Sequence, residues 1–449
     1  MYLKRTVYQK LMNWKESEKQ TTLEVTGARQ VGKTYIIKKF AEENFKNVIY
    51  INLFELSGKQ FQQCYTKATE WKPGEKRIEK PLHQAFELYD DKFTDDVDTV
   101  VIIDEIQESA EIYNRIREFT RQFQCKFIVT GSYLGRVLEP EFRFSSGDVT
   151  KLQVYTLSFE EFLEANSAEL YANYLSGSEI TDEQFEQIDE LYRVYMQIGG
   201  YPAVVREYLS SKDINKSVIE LKKIIDTFLN ESMRYFDDIL DVGVYDNIFL
   251  SVSRILLREK KGLDEDSVSE ELQKLVVKDY SSNITKTTCY RAMNWLQHAG
   301  IIGFCGKVIE LDPLDFKARS RCFFMDLGLA HYYLSRAGAG NGTLQGILHE
   351  NFVYINLKKR QDYPEEIVFE TPAFATFKGG EIDFFVQTIG ENTRYAVEVK
   401  AGKNSGISAK RALEQGKVDY LLYLKGNTKG GIQDKTITMP IFLLEQYKF

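Results

Sequence analysis

The sequence predicts an α/β protein: a parallel sheet covered by helices in the first third, a helical middle, and a second α/β region at the end. Three observations predict it. Strand-like and helix-like runs alternate over the first 130 residues. Two of the strand-like runs, VVII within TVVIIDEIQ and FIV within KFIVTGS, are apolar without alternation, as strands buried on both faces by crossover helices are. A glycine-bearing loop, GARQVGKT at 27–34, joins a β-type run to an amphipathic helix.

Taken in order, TTLEVTG reads as the first strand and TYIIKKFAEENF as a helix, with Ile36, Ile37, Phe40 and Phe45 on one side. NVIYINL, TVVIIDEIQ and KFIVTGS follow as strands. After LQVYTLSFEEFLEAN the pattern turns helical and acidic, through a loop at IGGYPAVV, to about residue 280. The helix ITKTTCYRAMNWLQHAG then ends at Gly300, and strands are expected in IIGFCGKVIEL and around SRCFFMDLGLA. Helix, helix and a two-stranded wing make a winged helix-turn-helix. AGAGNGTLQG, residues 337–346, is the clearest linker, and the last hundred residues return to α/β. Boundaries are therefore placed at 1–165, 166–336 and 337–449.

The 449 residues allow about three domains. With 43% hydrophobic and 28% charged residues the chain is far from a disordered composition. A formal net charge of -8 excludes a general polycation, so any nucleic-acid contact must come from a local basic patch. The five cysteines (Cys64, Cys125, Cys289, Cys305, Cys322) are scattered and odd in number, against both a disulfide framework and a zinc ribbon. No apolar leader opens the sequence and no apolar run approaches the roughly 18 residues of a membrane span, so the expected compartment is the cytoplasm.

Residues 27–34 fit G-x-x-x-x-G-K-[ST] in its required strand–loop–helix setting. Gly27, Ala28, Arg29, Gln30, Val31 and Gly32 supply backbone N–H groups for an anion nest, Lys33 reaches the outer phosphates, and the Thr34 hydroxyl faces Mg²⁺. Asp104, at the end of a buried strand, is costly there unless a metal shell or hydrogen bonds compensate, and is assigned to the Mg²⁺ shell. Glu105 is assigned the general base for an attacking water. Thr130 and Ser132, at the end of the following strand, are placed to report the γ-phosphate. ATP is preferred to GTP because no N/T-K-x-D motif follows. Arg136 and Arg143 are candidate arginine fingers.

A second constellation lies in GGEIDFFVQTIGENTRYAVEVKAGK. A turn centred between Gly390 and Glu391 sets Asp383 directly across from Glu398, and strand period two puts Lys400 on the face of Glu398. The repulsion between the two acids calls for a divalent cation held by Asp383 and Glu398. Glu350, on an upstream helix, has apolar neighbours and supplies a third acid. Together these four residues suit metal-assisted phosphodiester hydrolysis, and an ordinary solvated strand face would look similar in sequence. Lys286, Arg291, Lys307, Lys317, Arg319 and Arg321 on the winged-helix segment suit phosphate contacts or a basic surface that docks on protein.

The ordered set GARQVGKT, VVIIDEIQ, FIVTGS, VYTLSFEEFL, IGGYPAVV, FFMDLGLA, EIDFF and VEVK resembles the prokaryotic AAA+-type ATPases that carry a C-terminal restriction-endonuclease-like domain. The resemblance covers nearly the whole chain. It implies an ATPase core, a helical lid with winged helix, and a fold similar to PD-(D/E)xK nucleases. Lys33, Thr34, Asp104, Glu105 and Ser132 take the ATPase places, and Glu350, Asp383, Glu398 and Lys400 the nuclease-like places. Relatives often show Gly-Arg where this chain has Gly147-Asp148. The expected activity is Mg²⁺-dependent ATP hydrolysis coupled to DNA engagement, with a metal-dependent nuclease site. The alternative is a nucleotide switch whose last domain binds DNA or a protein partner without cleaving.

Overall fold

The computed structural model describes residues 2–70, 78–131, 140–143, 147–176, 180–235, 243–259, 274, 286–362, 367, 369, 371–400, 406–426 and 428–449. The chain divides into two compact units, Arg5–Tyr155 and Thr156–Phe449, the latter joined by residues 1–4.

The first unit is built on a five-stranded parallel sheet, with β1 Thr22–Thr26, β2 Asn47–Asn52, β3 Thr99–Asp104, β4 Lys126–Thr130 and β5 Val149–Gln153 in the order β2-β3-β4-β1-β5. Every residue of β3 is buried, because helices cover both faces and β-branched side chains fill them. One face packs an aromatic layer in which Phe119 stacks on Phe127 at 4.6 Å between centroids and Phe61 on Phe86 at 4.9 Å. Ile36, Ile37 and Phe40 of helix Lys33–Asn44 are buried as their spacing predicts. Strand β4 lies between β1 and β3, so the glycine loop after β1 and the acidic end of β3 are next-nearest neighbours at the carboxyl edge of the sheet.

The second unit carries an eight-stranded mixed sheet. Its strands are β6 Ile302–Val308, β7 Phe316–Phe324, β8 Ala373–Phe377, β9 Gly380–Gln387, β10 Arg394–Lys400, β11 Tyr420–Lys425, β12 Gly431–Gln433 and β13 Thr436–Pro440, in the order β12-β13-β11-β10-β9-β8-β6-β7. The hairpin expected as a wing is thus the edge of this sheet. Its strand β6 pairs in parallel with β8, Lys307 opposite Phe374. Two sequence expectations are corrected here. FFMDLGLA is a strand end followed by a helix, Leu327–Arg336, which Asp326 caps by accepting from the Gly328 and Leu329 amides. The linker shrinks, because a helix spans Asn341–Asp362 and takes up most of the glycine-rich run ahead of its buried Ile347–Leu357 face.

Asp326 also explains IGGYPAVV. Its Oδ2 accepts from the Gly200 amide at 2.8 Å, and the Gly200 carbonyl accepts from the Leu157 amide at 2.7 Å. A Cβ on Gly199 would lie 2.2 Å from Asp326 Oδ1, and one on Gly200 2.1 Å from the Leu157 carbonyl oxygen. The two motifs meet in one buried clasp at the start of this unit. Burial pushes the Asp326 carboxyl up, and the amide bonds partly offset that. Among the described residues no helix is long and apolar enough to cross a membrane.

Candidate nucleotide site

The loop 27–32 leaves β1 through left-handed backbone at Gly27 (φ 143°), Gln30 (φ 62°) and Gly32 (φ 91°), and so curls over the first turn of helix Lys33–Asn44. Lys33 is buried and donates to the carbonyls of Gly27 and Ala28 at 2.8 and 2.9 Å. Its ammonium therefore sits within the loop it follows. Arg5, ahead of the first strand, donates to the Val31 carbonyl at 2.9 Å and to the Tyr155 carbonyl at 2.6 Å. That tie, absent from the sequence reading, joins the loop to the chain leaving β5.

Asp104 closes the opposite side. Its Oδ2 accepts from the Thr34 hydroxyl at 3.0 Å and from the Tyr50 hydroxyl at 2.8 Å, and its Oδ1 from the Glu105 amide at 2.9 Å. Burial raises its carboxyl above the ordinary carboxylate value, with Glu105 adding to the effect and the hydroxyl bonds opposing it. Glu105 stands in left-handed backbone (φ 53°), a conformation that costs an L-residue roughly 1–3 kcal/mol and gathers at functional sites. The buried Gln107 donates its side-chain amide to Glu105 Oε2. Thr34 and Asp104 offer the hard oxygens that Mg²⁺ takes, and the loop offers amide N–H groups beside an ammonium. These residues fit a magnesium-bound polyphosphate.

Other expectations fare differently. Thr130 is fully buried and donates to the Val25 carbonyl at 3.0 Å, so it fastens β4 to β1 instead of facing a ligand. Ser132 and Arg136 lie outside the described residues. Asp148 is buried; Arg121 Nε donates to its Oδ1 at 2.8 Å, and its carbonyl takes the Thr22 amide and the Thr120 hydroxyl. It is a structural anchor of β1.

In the second unit, β9 and β10 pair with Val397 opposite Phe384, the register of a turn centred between Gly390 and Glu391. One step further sit Asp383 and Glu398. Asp383 Oδ2 accepts from the Val399 amide at 2.7 Å. Glu398 is 1% exposed, and the backbone of Gly406 packs on its carboxyl group closely enough that a Cβ there would lie 3.0 Å from Oε2. Glu350 is buried on helix Asn341–Asp362, and the side chain of Lys400 lies outside the described residues. Among the described residues no group of three or more His, Cys, Asp or Glu side chains is placed to hold a metal ion.

The basic residues of the hairpin divide. Arg319 donates to Asn294 Oδ1 at 2.9 Å and to the Tyr290 hydroxyl at 3.1 Å, tying β7 to helix Lys286–His298. Arg321 pairs with Glu381 at 2.7 Å and lies 3.8 Å from the centre of the Phe374 ring. Both act inside the fold, whereas Arg291 and Lys317 are exposed. The side chain of Lys286 lies outside the described residues, as do residues 275–285, where a preceding helix of a helix-turn-helix would fall.

Residues 19–163 match the family model described as AAA domain, and residues 189–339 match one described as a domain of unknown function (DUF8612). An uncharacterized protein of Haemophilus influenzae is 22% identical over 331 residues, 73% of this chain and 70% of that protein. Among solved structures, a Walker-type ATPase of Pyrococcus abyssi is 16% identical, covering 74% of this chain and 96% of its own, with a TM-score of 0.45. The ORC2 protein of Aeropyrum pernix is 13% identical over 77% of this chain and 91% of its own, with a TM-score of 0.32.

Proposed function

We propose that this chain, which carries an AAA-type P-loop ATPase domain over residues 19–163, hydrolyses ATP with Mg²⁺ and uses the nucleotide state to govern engagement of DNA by its second unit. The observation that carries the reading is the Asp104 carboxylate fixed against Thr34, beside a Glu105 that Gln107 orients. The loop amides and Lys33 bind the phosphates, Lys33 exchanging the Gly27 and Ala28 carbonyls for phosphate oxygens. Thr34 turns its proton toward Asp104 and its lone pairs toward the cation. Bound Mg²⁺ supplies charge neutralisation at the β- and γ-phosphates. Glu105 takes the proton of the attacking water. In steady-state assays the wild type turns over ATP with Mg²⁺. Lys33→Ala abolishes turnover, and Glu105→Gln retains nucleotide but not hydrolysis. Turnover unchanged in either variant overturns the reading.

For the second unit, binding without cleavage is the favoured reading, because Glu398 is packed under Gly406 and, among the described residues, no group of three or more His, Cys, Asp or Glu side chains is placed to hold a metal ion. The order helix Asn341–Asp362, β8, β9, β10, helix Ile407–Glu414, β11 supports a nuclease-like scaffold, with Glu350, Asp383, Glu398 and Lys400 on its helix and strands. Exposed Lys317 and Arg291 are the proposed phosphate contacts on DNA. Under this reading, electrophoretic shifts respond to ATP and survive Glu398→Gln, and supercoiled plasmid stays intact with Mg²⁺ or Mn²⁺. Nicking that depends on Asp383 restores the nuclease reading instead.

A further inference from the structure

Beyond the residues named by the loop motif and the acidic strand end, one side chain reaches the cation-holding carboxylate. Tyr50 is in β2, which pairs with β3 so that Asn52 lies opposite Asp104. Two positions before Asn52, Tyr50 shares its face and crosses diagonally to Asp104. Its hydroxyl donates to Oδ2 at 2.8 Å, the same oxygen that accepts from Thr34 at 3.0 Å.

A carboxylate oxygen offers two lone-pair directions, and these two hydroxyls fill those of Oδ2. The Glu105 amide holds Oδ1 at 2.9 Å. The last torsion of an aspartate is soft, so its angle is set by whatever bonds the two oxygens make. Without Tyr50, Oδ2 would answer to Thr34 alone. Tyr50 is itself braced. Lys38 Nζ lies 3.5 Å above the centre of its ring, one helical turn after Thr34 on the same face of helix Lys33–Asn44, and the Tyr89 hydroxyl donates to the Tyr50 carbonyl at 3.0 Å. Thr34 and Lys38 thus reach from one helix face to Asp104 and to the ring that steadies it.

We propose that Tyr50 is a positioning residue for the divalent cation: it fixes the Asp104 carboxylate so that Thr34 presents its lone pairs to the metal. This rests on the reading of Thr34 and Asp104 as the cation-holding pair. Groups that orient a metal-holding side chain typically change metal affinity about 10–100-fold when removed. Tyr50→Phe takes away one oxygen and keeps the ring beneath Lys38.

The test uses the full chain and two probes, Mn²⁺ binding followed by electron paramagnetic resonance in the presence of ATP, and a fluorescent ATP analogue titrated with EDTA and with Mg²⁺. Wild type is expected to bind one Mn²⁺ per ATP-loaded chain. Tyr50→Phe is expected to weaken Mn²⁺ binding roughly 10–100-fold while its melting temperature and its affinity for the analogue in EDTA stay near wild type. Mn²⁺ binding equal to wild type overturns the role of Tyr50 and leaves the cation site standing. An equal loss of analogue affinity with and without metal also overturns it, since that is a packing lesion. A wild type that takes up no Mn²⁺ with ATP overturns both the inference and the reading beneath it.

Discussion

Replacing Glu445 by glutamine tests how the second unit is held together at its first helix. Glu445, in the short 3₁₀ helix Ile441–Gln446 near the end of the chain, is half-buried and accepts from the amides of Phe159 (3.2 Å) and Glu160 (2.7 Å), the first two residues of helix Phe159–Asn166. Burial pushes its carboxyl from 4.5 up to about 7; Glu160 adds to the rise, while Lys359 and the two amide bonds oppose it. Because the folded value is raised, the native chain keeps a proton between 4.5 and about 7 where the unfolded chain has released it. The stabilising contribution is therefore complete below 4.5 and is lost as pH rises through about 7. At about 1.4 kcal/mol per pH unit, the loss amounts to roughly 3 kcal/mol at pH 8. Glutamine carries no charge and escapes that loss. It keeps one acceptor and turns an NH₂ toward the second amide, a cost on the order of 1 kcal/mol at every pH. Glu445→Gln should then melt below wild type at pH 4 and above it at pH 8, by about 3 °C at the higher pH, given roughly 1.6 °C per kcal/mol in a unit of about 300 residues. Circular dichroism melts at the two pH values decide it. A difference that keeps one sign and size across the range refutes the assignment of the proton to Glu445.

Three further predictions follow from single contacts. Gly27→Ala places a Cβ 2.1 Å from the Val154 carbonyl oxygen, so the loop must shift, and affinity for a fluorescent ATP analogue should fall by roughly tenfold or more. Asp326→Ala leaves the buried amides of Gly200, Gly328 and Leu329 without their acceptor, at about 1–3 kcal/mol per group; a lowered melting temperature with new proteolytic cleavage near residues 199–200 is expected. Arg319→Ala should lower stability without changing the salt dependence of DNA binding, whereas Lys317→Ala should reduce the slope of log affinity against log salt by about one.

The parts of this molecule that were legible in sequence are those set by local pattern. VVII and FIV are buried strands because unbroken β-branched and aromatic runs suit a sheet covered twice, and GARQVGKT curls because Gly27 and Gly32 admit left-handed backbone. The register of β9 against β10 follows from the turn between Gly390 and Glu391. What sequence could not disclose depends on partners distant along the chain. The pairing of β6 with β8 joins residues 306–308 to 373–375, and it turns an expected wing into a sheet edge. Arg319 and Arg321 read as a basic surface until Asn294 and Glu381 are placed beside them. Tyr50 looks like any strand aromatic; its bond to Asp104 exists only because β2 lies beside β3. Asp326 and Gly200 of IGGYPAVV stand 126 positions apart, and their residue types become intelligible only where they meet.

Isothermal titration calorimetry of the full chain with ATP and Mg²⁺ bears most directly on the nucleotide site. Saturable heat at one site per chain, lost in Lys33→Ala, is expected. No heat in wild type, or the same heat in the variant, contradicts it.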